Sequence, residues 1–219
     1  KMSKSLGNVI DPNVLADTFT ADGLRYYVMR DIATGYDADF NGERLDMSYN
    51  KELAGGLGNL LNRSLNMAHK YRAGLLTPGA YDDAENAALR QTVAEALPAY
   101  ISSMDLWSIH DGIAAAWKIV SHANAYVDST KPFSLAKDAA QAERLDSVLY
   151  HLAEAVLHAA VLLTPIMPTA MEKAREQIGW TQPAGFTLKD LKWGMLASGH
   201  QLGQPVPLFP RLEPTEPKA

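Results

Sequence analysis

Lys1-Met2-Ser3-Lys4-Ser5 opens the chain and is followed closely by Gly7. Lys1 and Lys4 stand three apart among small hydroxyl residues, the makings of a mobile cationic loop that closes on a polyphosphate. Ammonium and hydroxyl donors stabilise the charge that builds up during phosphoryl or nucleotidyl transfer. Composition alone favours an exposed basic turn without a chemical role, because short motifs recur by chance. A second constellation is Asn59 and Arg63, four residues apart. On a helix they share one face, one turn from each other. Asn offers a donor and an acceptor, and Arg a planar fork. The pair suits the edges of splayed single-stranded bases. Two competing readings make Asn59 a cap or an inter-helix hydrogen bond, and Arg63 the surface partner of Glu52 or Asp46.

Other chemistry-bearing residues read more plainly. Cysteine is absent, so there is neither a disulfide framework nor a thiolate metal site. His122, His151 and His158 lie on expected helices without carboxylate or Cys partners at metal spacing and read as structural; no metal site is expected. Lys70, Arg72 and Lys118 could touch backbone phosphates but read more simply as solvated. Trp107 and Trp117 sit on apolar helical spacing and are expected in the core.

These residues need helices to position them. Asp11-Pro12 is a start signal, Asp as N-cap and Pro at the first helical position. A second helix is expected over 21–33 and a polar connection over 35–42. Leu53, Leu57, Leu60, Leu61 and Leu65 recur near helical spacing and predict a long helix over 45–72. Gly55, Gly56 and Gly58 weaken it by about 1 kcal/mol each, implying close helix approach or a break. Further helices are expected over 83–103, 106–129 and from Ala139, the last ended or kinked by Pro165. Pro168 opens another to Ile178. From Gly179 the chain reads as an irregular segment packed across the bundle, with a disordered tail over 213–219. The fold class is all-α, an antiparallel helical bundle.

With 219 residues, 47% hydrophobic and 21% charged, the chain can bury a sizeable core. A net charge of −5 argues against a general nucleic-acid binder. It leaves room for a reader of a few unstacked bases. The most apolar stretch, 152–167, is interrupted by Glu154 and His158 and falls short of the roughly 20 residues of a bilayer span, so no membrane partner is expected. The first residue already belongs to a dense motif, which suggests a piece of something longer.

Lys1 to Ser5 resembles the signature loop of class I aminoacyl-tRNA synthetases. Gly7 to Pro12 and Gly23-Leu24-Arg25-Tyr26-Tyr27 resemble the region after that loop in the methionine, isoleucine, leucine and valine enzymes. The segment Tyr36 to Phe40, with Glu43-Arg44-Leu45, Asn50, Glu52-Leu53 and Gly58 to Arg63, is similar to the junction into the anticodon domain of the methionine–tRNA ligases. The likeness is looser at Tyr126-Val127-Asp128 with Lys131-Pro132, and at Pro207 to Arg211. The resemblance implies that Lys1 and Lys4 are catalytic and that Lys1, Ser3, Lys4 and Ser5 bind ATP. It implies that Asn59, Arg63 and Phe133 contact the CAU anticodon of tRNA(Met). Phe133 stands where the family usually has a tryptophan on which a base stacks; phenylalanine still offers a face. Its other reading is a small cluster with Leu135.

The resemblance also implies an arrangement: residues 1–42 as the loop and connecting helices, 43–178 as the anticodon-binding bundle, and 179–219 as a segment packed on it. The whole protein would be a cytoplasmic ligase that joins methionine to tRNA using ATP with magnesium. The family's His-Ile-Gly-His signature and nucleotide-binding fold are absent here, so this chain alone is expected to be inactive. The rival readings are the same region of an isoleucine, valine or leucine enzyme, and a non-catalytic RNA-binding module.

Overall fold

The computed structural model describes residues 10–213; Lys1, Ser3, Lys4, Ser5 and the tail from residue 214 lie outside the described residues. α1 (Pro12–Phe19) starts as its cap predicts, the Asp11 carboxylate accepting from the Asn13 amide at 2.8 Å. α2 (Ala21–Asp31) comes next through Thr20, held at φ 64, whose hydroxyl accepts from the Gly23 amide. Two side chains fasten α2 to the bundle. Arg25 donates to the carbonyls of Pro165 and Ile166, both at 2.9 Å, and Asp22 accepts from the Ala170 amide at 2.6 Å. These are helix-end groups that would otherwise lack partners.

α3 (Gly42–Met47), a π-helical stretch (Ser48–Gly58) and α4 (Asn59–Arg72) run on without interruption. The glycines therefore neither break the helix nor leave it regular: the backbone widens into a register bonded five residues back. α5 (Ala84–Asp105) and α6 (Ile109–Thr130) form an antiparallel hairpin. Trp107 occupies its turn at φ 60 and is 74% exposed, so it is not a core residue. The helical spacing does not apply there, because Trp107 lies between the end of α5 at Asp105 and the start of α6 at Ile109. Trp117 is half-buried, its ring 5.1 Å from that of Tyr26 on α2.

α7 (Pro132–Leu135) leads through a 3-10 turn (Ala139–Gln141) into α8 (Ala142–Leu163), and α9 (Pro168–Ile178) comes after it. α8 is the central element: from Ser147 to Leu163 every residue is buried. With its entry turn it is long and apolar enough for a membrane span by composition, but 94% of its apolar window is buried inside the bundle.

The segment after Gly179 does cross the bundle, though not wholly irregularly. β2 (His200–Gln201) pairs antiparallel with β1 (Leu75–Leu76), Leu75 opposite Gln201. Leu191, Leu196, Leu202 and Phe209 are buried beneath it. The buried Glu154 carboxylate anchors the crossing, accepting from the amides of Leu196 at 2.6 Å and Gly194 at 3.2 Å and from the Tyr150 hydroxyl at 3.1 Å. A carboxylate sealed in a core is tolerated when its lone pairs are taken in this way.

Candidate nucleic-acid interface

Asn59 is the first residue of α4, immediately after the π-helical stretch. Its dihedrals are right-handed helical (φ −66, ψ −40) and its amide donates to the Ala54 carbonyl five residues back, so it joins the two stretches rather than serving as the N-cap of α4, which is Gly58. Gly56 and Gly58, two residues apart, face different neighbours. A Cβ at Gly58 would stand 3.0 Å from the Leu53 carbonyl oxygen and 3.6 Å from the Phe209 ring; one at Gly56 would stand 3.7 Å from Trp117. The glycines thus let the C-terminal segment and α6 close on the helix just before Asn59. The Leu212 amide donates to Asn50 Oδ1 at 2.9 Å and fixes that segment in place. A cleft of about 360 Å³ results, lined by Asn59 and Asn62 on one side and Pro207, Pro210 and Arg211 on the other.

One turn beyond Asn59, Arg63 reaches across to α6, its guanidinium 3.4 Å from the Asp128 carboxylate. This replaces the expected pairing with Glu52 or Asp46. Glu52 points the other way, its carboxylate taken by the buried Tyr26 hydroxyl and 3.9 Å from Arg30, while Asp46 accepts from Asn50. Eleven and seventeen residues before Arg63, both acids stand at least about 16 Å down the helix at about 1.5 Å per residue, out of its reach. The Arg63 side chain keeps 37% of its surface exposed, and Asp128 holds one arm of the fork, leaving others free for a ligand. A pair this exposed adds little stability; its effect is to orient the guanidinium.

Phe133 lies five residues beyond Asp128. Lys131, left-handed at φ 47, ends α6, and Pro132 starts α7 at once. That tight turn presents Phe133 at 47% exposure rather than sealing it into a cluster. The candidate interface therefore offers a guanidinium with free donors, an amide and an exposed aromatic ring, Arg63 and Phe133 being linked through Asp128 and the end of α6. Lys1, Ser3, Lys4 and Ser5 lie outside the described residues and stand in no measured relation to it. Arg211 is the residue that local reading missed: it sits more than 140 residues from Asn59 in sequence and only the fold brings it to the cleft.

The two α8 histidines each bond a carbonyl one turn back in their own helix. His151 Nδ1 lies 2.8 Å from the Ser147 carbonyl and His158 Nδ1 2.8 Å from that of Glu154. Burial holds the pKa of both below the ordinary histidine value. His158 does have a carboxylate partner one helical turn away, Glu154 at 3.7 Å, contrary to the reading from spacing. Among the described residues no three His, Cys, Asp or Glu side chains form a group that could hold a metal ion. Arg72 is not solvated but paired with Asp146. Lys118 lines a groove between α5 and α6.

Two family models match. Residues 1–65 match class I tRNA synthetases of the methionine group, and residues 77–218 match the anticodon-binding domain of methionyl-tRNA ligase. The methionine–tRNA ligase of Caldanaerobacter subterraneus subsp. tengcongensis is 39% identical over 97% of this chain and 33% of its own length. That of Bacillus subtilis is 40% identical over 99% of this chain and 33% of its own length. The chain thus spans about a third of the curated relatives it matches. The solved structure of Mycobacterium tuberculosis methionyl-tRNA synthetase in complex with methionyl-adenylate superposes with a TM-score of 0.90 at 32% identity, covering 96% of this chain and 42% of that one. Its apo form gives 0.87 at 30% identity, over 94% and 42%.

Proposed function

The chain belongs to the methionine–tRNA ligase family, and from that premise we propose that it reads the CAU anticodon of tRNA(Met) for an enzyme that activates methionine with ATP. The observation that carries the reading is the Arg63–Asp128 pair. It sets an aimed guanidinium beside Asn59 and joins it, through the end of α6, to the exposed ring of Phe133. Arg63 and Asn59 bond the edges of splayed anticodon bases, and one base stacks on Phe133. Residues 43–178 form the anticodon-binding bundle, 1–42 the end of the catalytic region, and 179–219 the C-terminal segment, of which Pro207 to Arg211 line the cleft.

In the whole protein Lys1, Ser3, Lys4 and Ser5 bind the ATP phosphates. Lys1 and Lys4 stabilise the charge that develops as the methionine carboxylate attacks the α-phosphate and pyrophosphate leaves. The adenylate then passes methionine to the tRNA terminus. Magnesium accompanies ATP, but the described residues show no donor set that fits it, so no step here is routed through it. The enzyme works in the cytoplasm with the rest of translation. The isoleucine, valine and leucine enzymes are not what the comparisons favour.

The two roles separate by experiment in the full-length protein. Lys4→Ala is expected to cut methionine-dependent ATP–pyrophosphate exchange at least a hundredfold while leaving tRNA affinity intact. Arg63→Ala is expected to leave exchange intact and to cut kcat/KM for tRNA charging by a comparable factor. Charging that survives Arg63→Ala unchanged would remove the anticodon role assigned to that face.

A further inference from the structure

Two charged side chains of α2 have no part in the anticodon reading, and both serve other helices. The Arg25 guanidinium bridges two successive carbonyls in the corner between α8 and α9, donating through Nε to Ile166 and through Nη2 to Pro165, each at 2.9 Å. Asp22, only 6% exposed, accepts from the amide of Ala170 in the first turn of α9 at 2.6 Å. The signs suit the helix ends: the cation meets carbonyls just past the C-terminus of α8, and the carboxylate meets a free amide at the N-terminus of α9.

The guanidinium makes this joint directional. A planar fork on two carbonyls fixes the rotation of α2 about the corner as well as its distance. Tyr26, one position on, holds a second point: its ring lies 5.1 Å from that of Trp117 and its hydroxyl donates to Glu52. Without the corner, α2 would be free to turn about that point. On one side of the joint, α2 leads back through α1 to the Lys1–Ser5 segment. On the other, α8 packs against α4 and α7, which carry Arg63 and Phe133.

We propose that Asp22 and Arg25 are positioning residues for tRNA charging: they set the signature-loop side of the enzyme at a fixed angle to the anticodon face, so that a tRNA gripped by its anticodon presents its acceptor end to the adenylate. The inference rests on the reading that the bundle binds the anticodon. A long, stiff ligand held at one end turns a small rotation at the joint into a large displacement at the other. A misplacement of about 1 Å costs about a hundredfold in rate. Activation of methionine involves no tRNA and does not depend on the joint.

The test uses the full-length protein with Arg25→Ala, Arg25→Lys and Asp22→Ala. Three readings are taken on each: ATP–pyrophosphate exchange, affinity for the CAU stem-loop and for one with a single anticodon base changed, and steady-state charging of whole methionine tRNA. Arg25→Ala should lower kcat for charging about tenfold, with KM for tRNA and stem-loop affinity within about twofold of the parent and exchange unchanged. Arg25→Lys restores the charge and one donor but not the fork, and should recover part of the loss. Asp22→Ala breaks the joint on the α9 side and should repeat the pattern; it decides the matter if circular dichroism shows Arg25→Ala unfolded. A role in stability alone would lower stem-loop affinity or exchange along with charging. Unchanged kcat for charging in the folded variants overturns the proposal. So does a loss confined to stem-loop affinity and KM, which makes the corner part of the bundle's own packing. Failure of the anticodon reading shows separately, as equal binding of the two stem-loops by the unaltered protein.

Discussion

Arg63 and Phe133 act through what they leave open. Asp128 fixes Arg63 without enclosing it, and the left-handed Lys131 turns the chain so that Phe133 stays half in solvent. Phe133→Ala is therefore expected to weaken binding of a CAU stem-loop by about 1–3 kcal/mol, the range for a stacked base. It should alter unfolding in urea by less than about 0.5 kcal/mol. Phe133→Trp should bind at least as well as the parent, since it enlarges the same face. Glu154 is the opposite kind of residue, wholly enclosed. Glu154→Ala strands the amides of Gly194 and Leu196, and at about 1–3 kcal/mol for each unsatisfied group the loss in urea stability should exceed about 2 kcal/mol. Hydrogen exchange should rise first over residues 193–196. That Asn59 and Arg63 stand one helical turn apart follows from their spacing of four, while the anticodon role proposed for them rests on the family resemblance. The partner of Arg63 was not legible, because Asp128 stands 65 residues away on α6 and only the packing of the helices brings the two together.

At the scale of elements, the run from Gly42 to Arg72 shows how glycine content is ambiguous. Weak helix formers predict a break, close approach or irregular register alike. The outcome depends on Phe209 and Trp117, which press on Gly58 and Gly56 from distant parts of the chain. The positions should respond differently to a methyl group. Gly56→Ala meets ordinary contacts at 3.6 and 3.7 Å and should stabilise by about 0.5–1 kcal/mol. Gly179→Ala places a Cβ 2.4 Å from the Gln201 carbonyl oxygen at φ 76 and should destabilise by more than about 1 kcal/mol, read from urea midpoints. The α5 and α6 helices, by contrast, were plain in the sequence to within a few residues, because their apolar stripes face one continuous core. The β1–β2 pair left no signal: two residues on each side are too few to show alternation, and their pairing is set by the crossing of the C-terminal segment.

For the whole molecule, α8 carries an acid sensitivity along with the core. His151 and His158 are buried with pKa values below the ordinary histidine value of about 6.5, chiefly because burial penalises the charged ring. Above about pH 6.5 both rings are neutral folded or unfolded. As pH falls below it, the unfolded chain takes up protons that the folded chain refuses, so stability drops. Between pH 7.5 and 5.5 a loss of about 1–2 kcal/mol is expected in urea titrations. A His151→Gln, His158→Gln variant should show a flatter profile over that window. The all-α class and the family were legible because the helical period and the quoted motifs run along most of the chain. The contact that joins the two ends of the chain into one cleft was not, since Asn50 and Leu212 meet only in the fold.

The most direct measurement is the affinity of this chain, at stated salt, for the CAU anticodon stem-loop beside one with a single anticodon base changed. Arg63→Ala is run in parallel. The account predicts that the CAU loop binds at least tenfold more tightly and that Arg63→Ala removes most of that preference. A preference that persists at full strength in Arg63→Ala would contradict it, because the reading of the anticodon would then lie on some other face of the bundle.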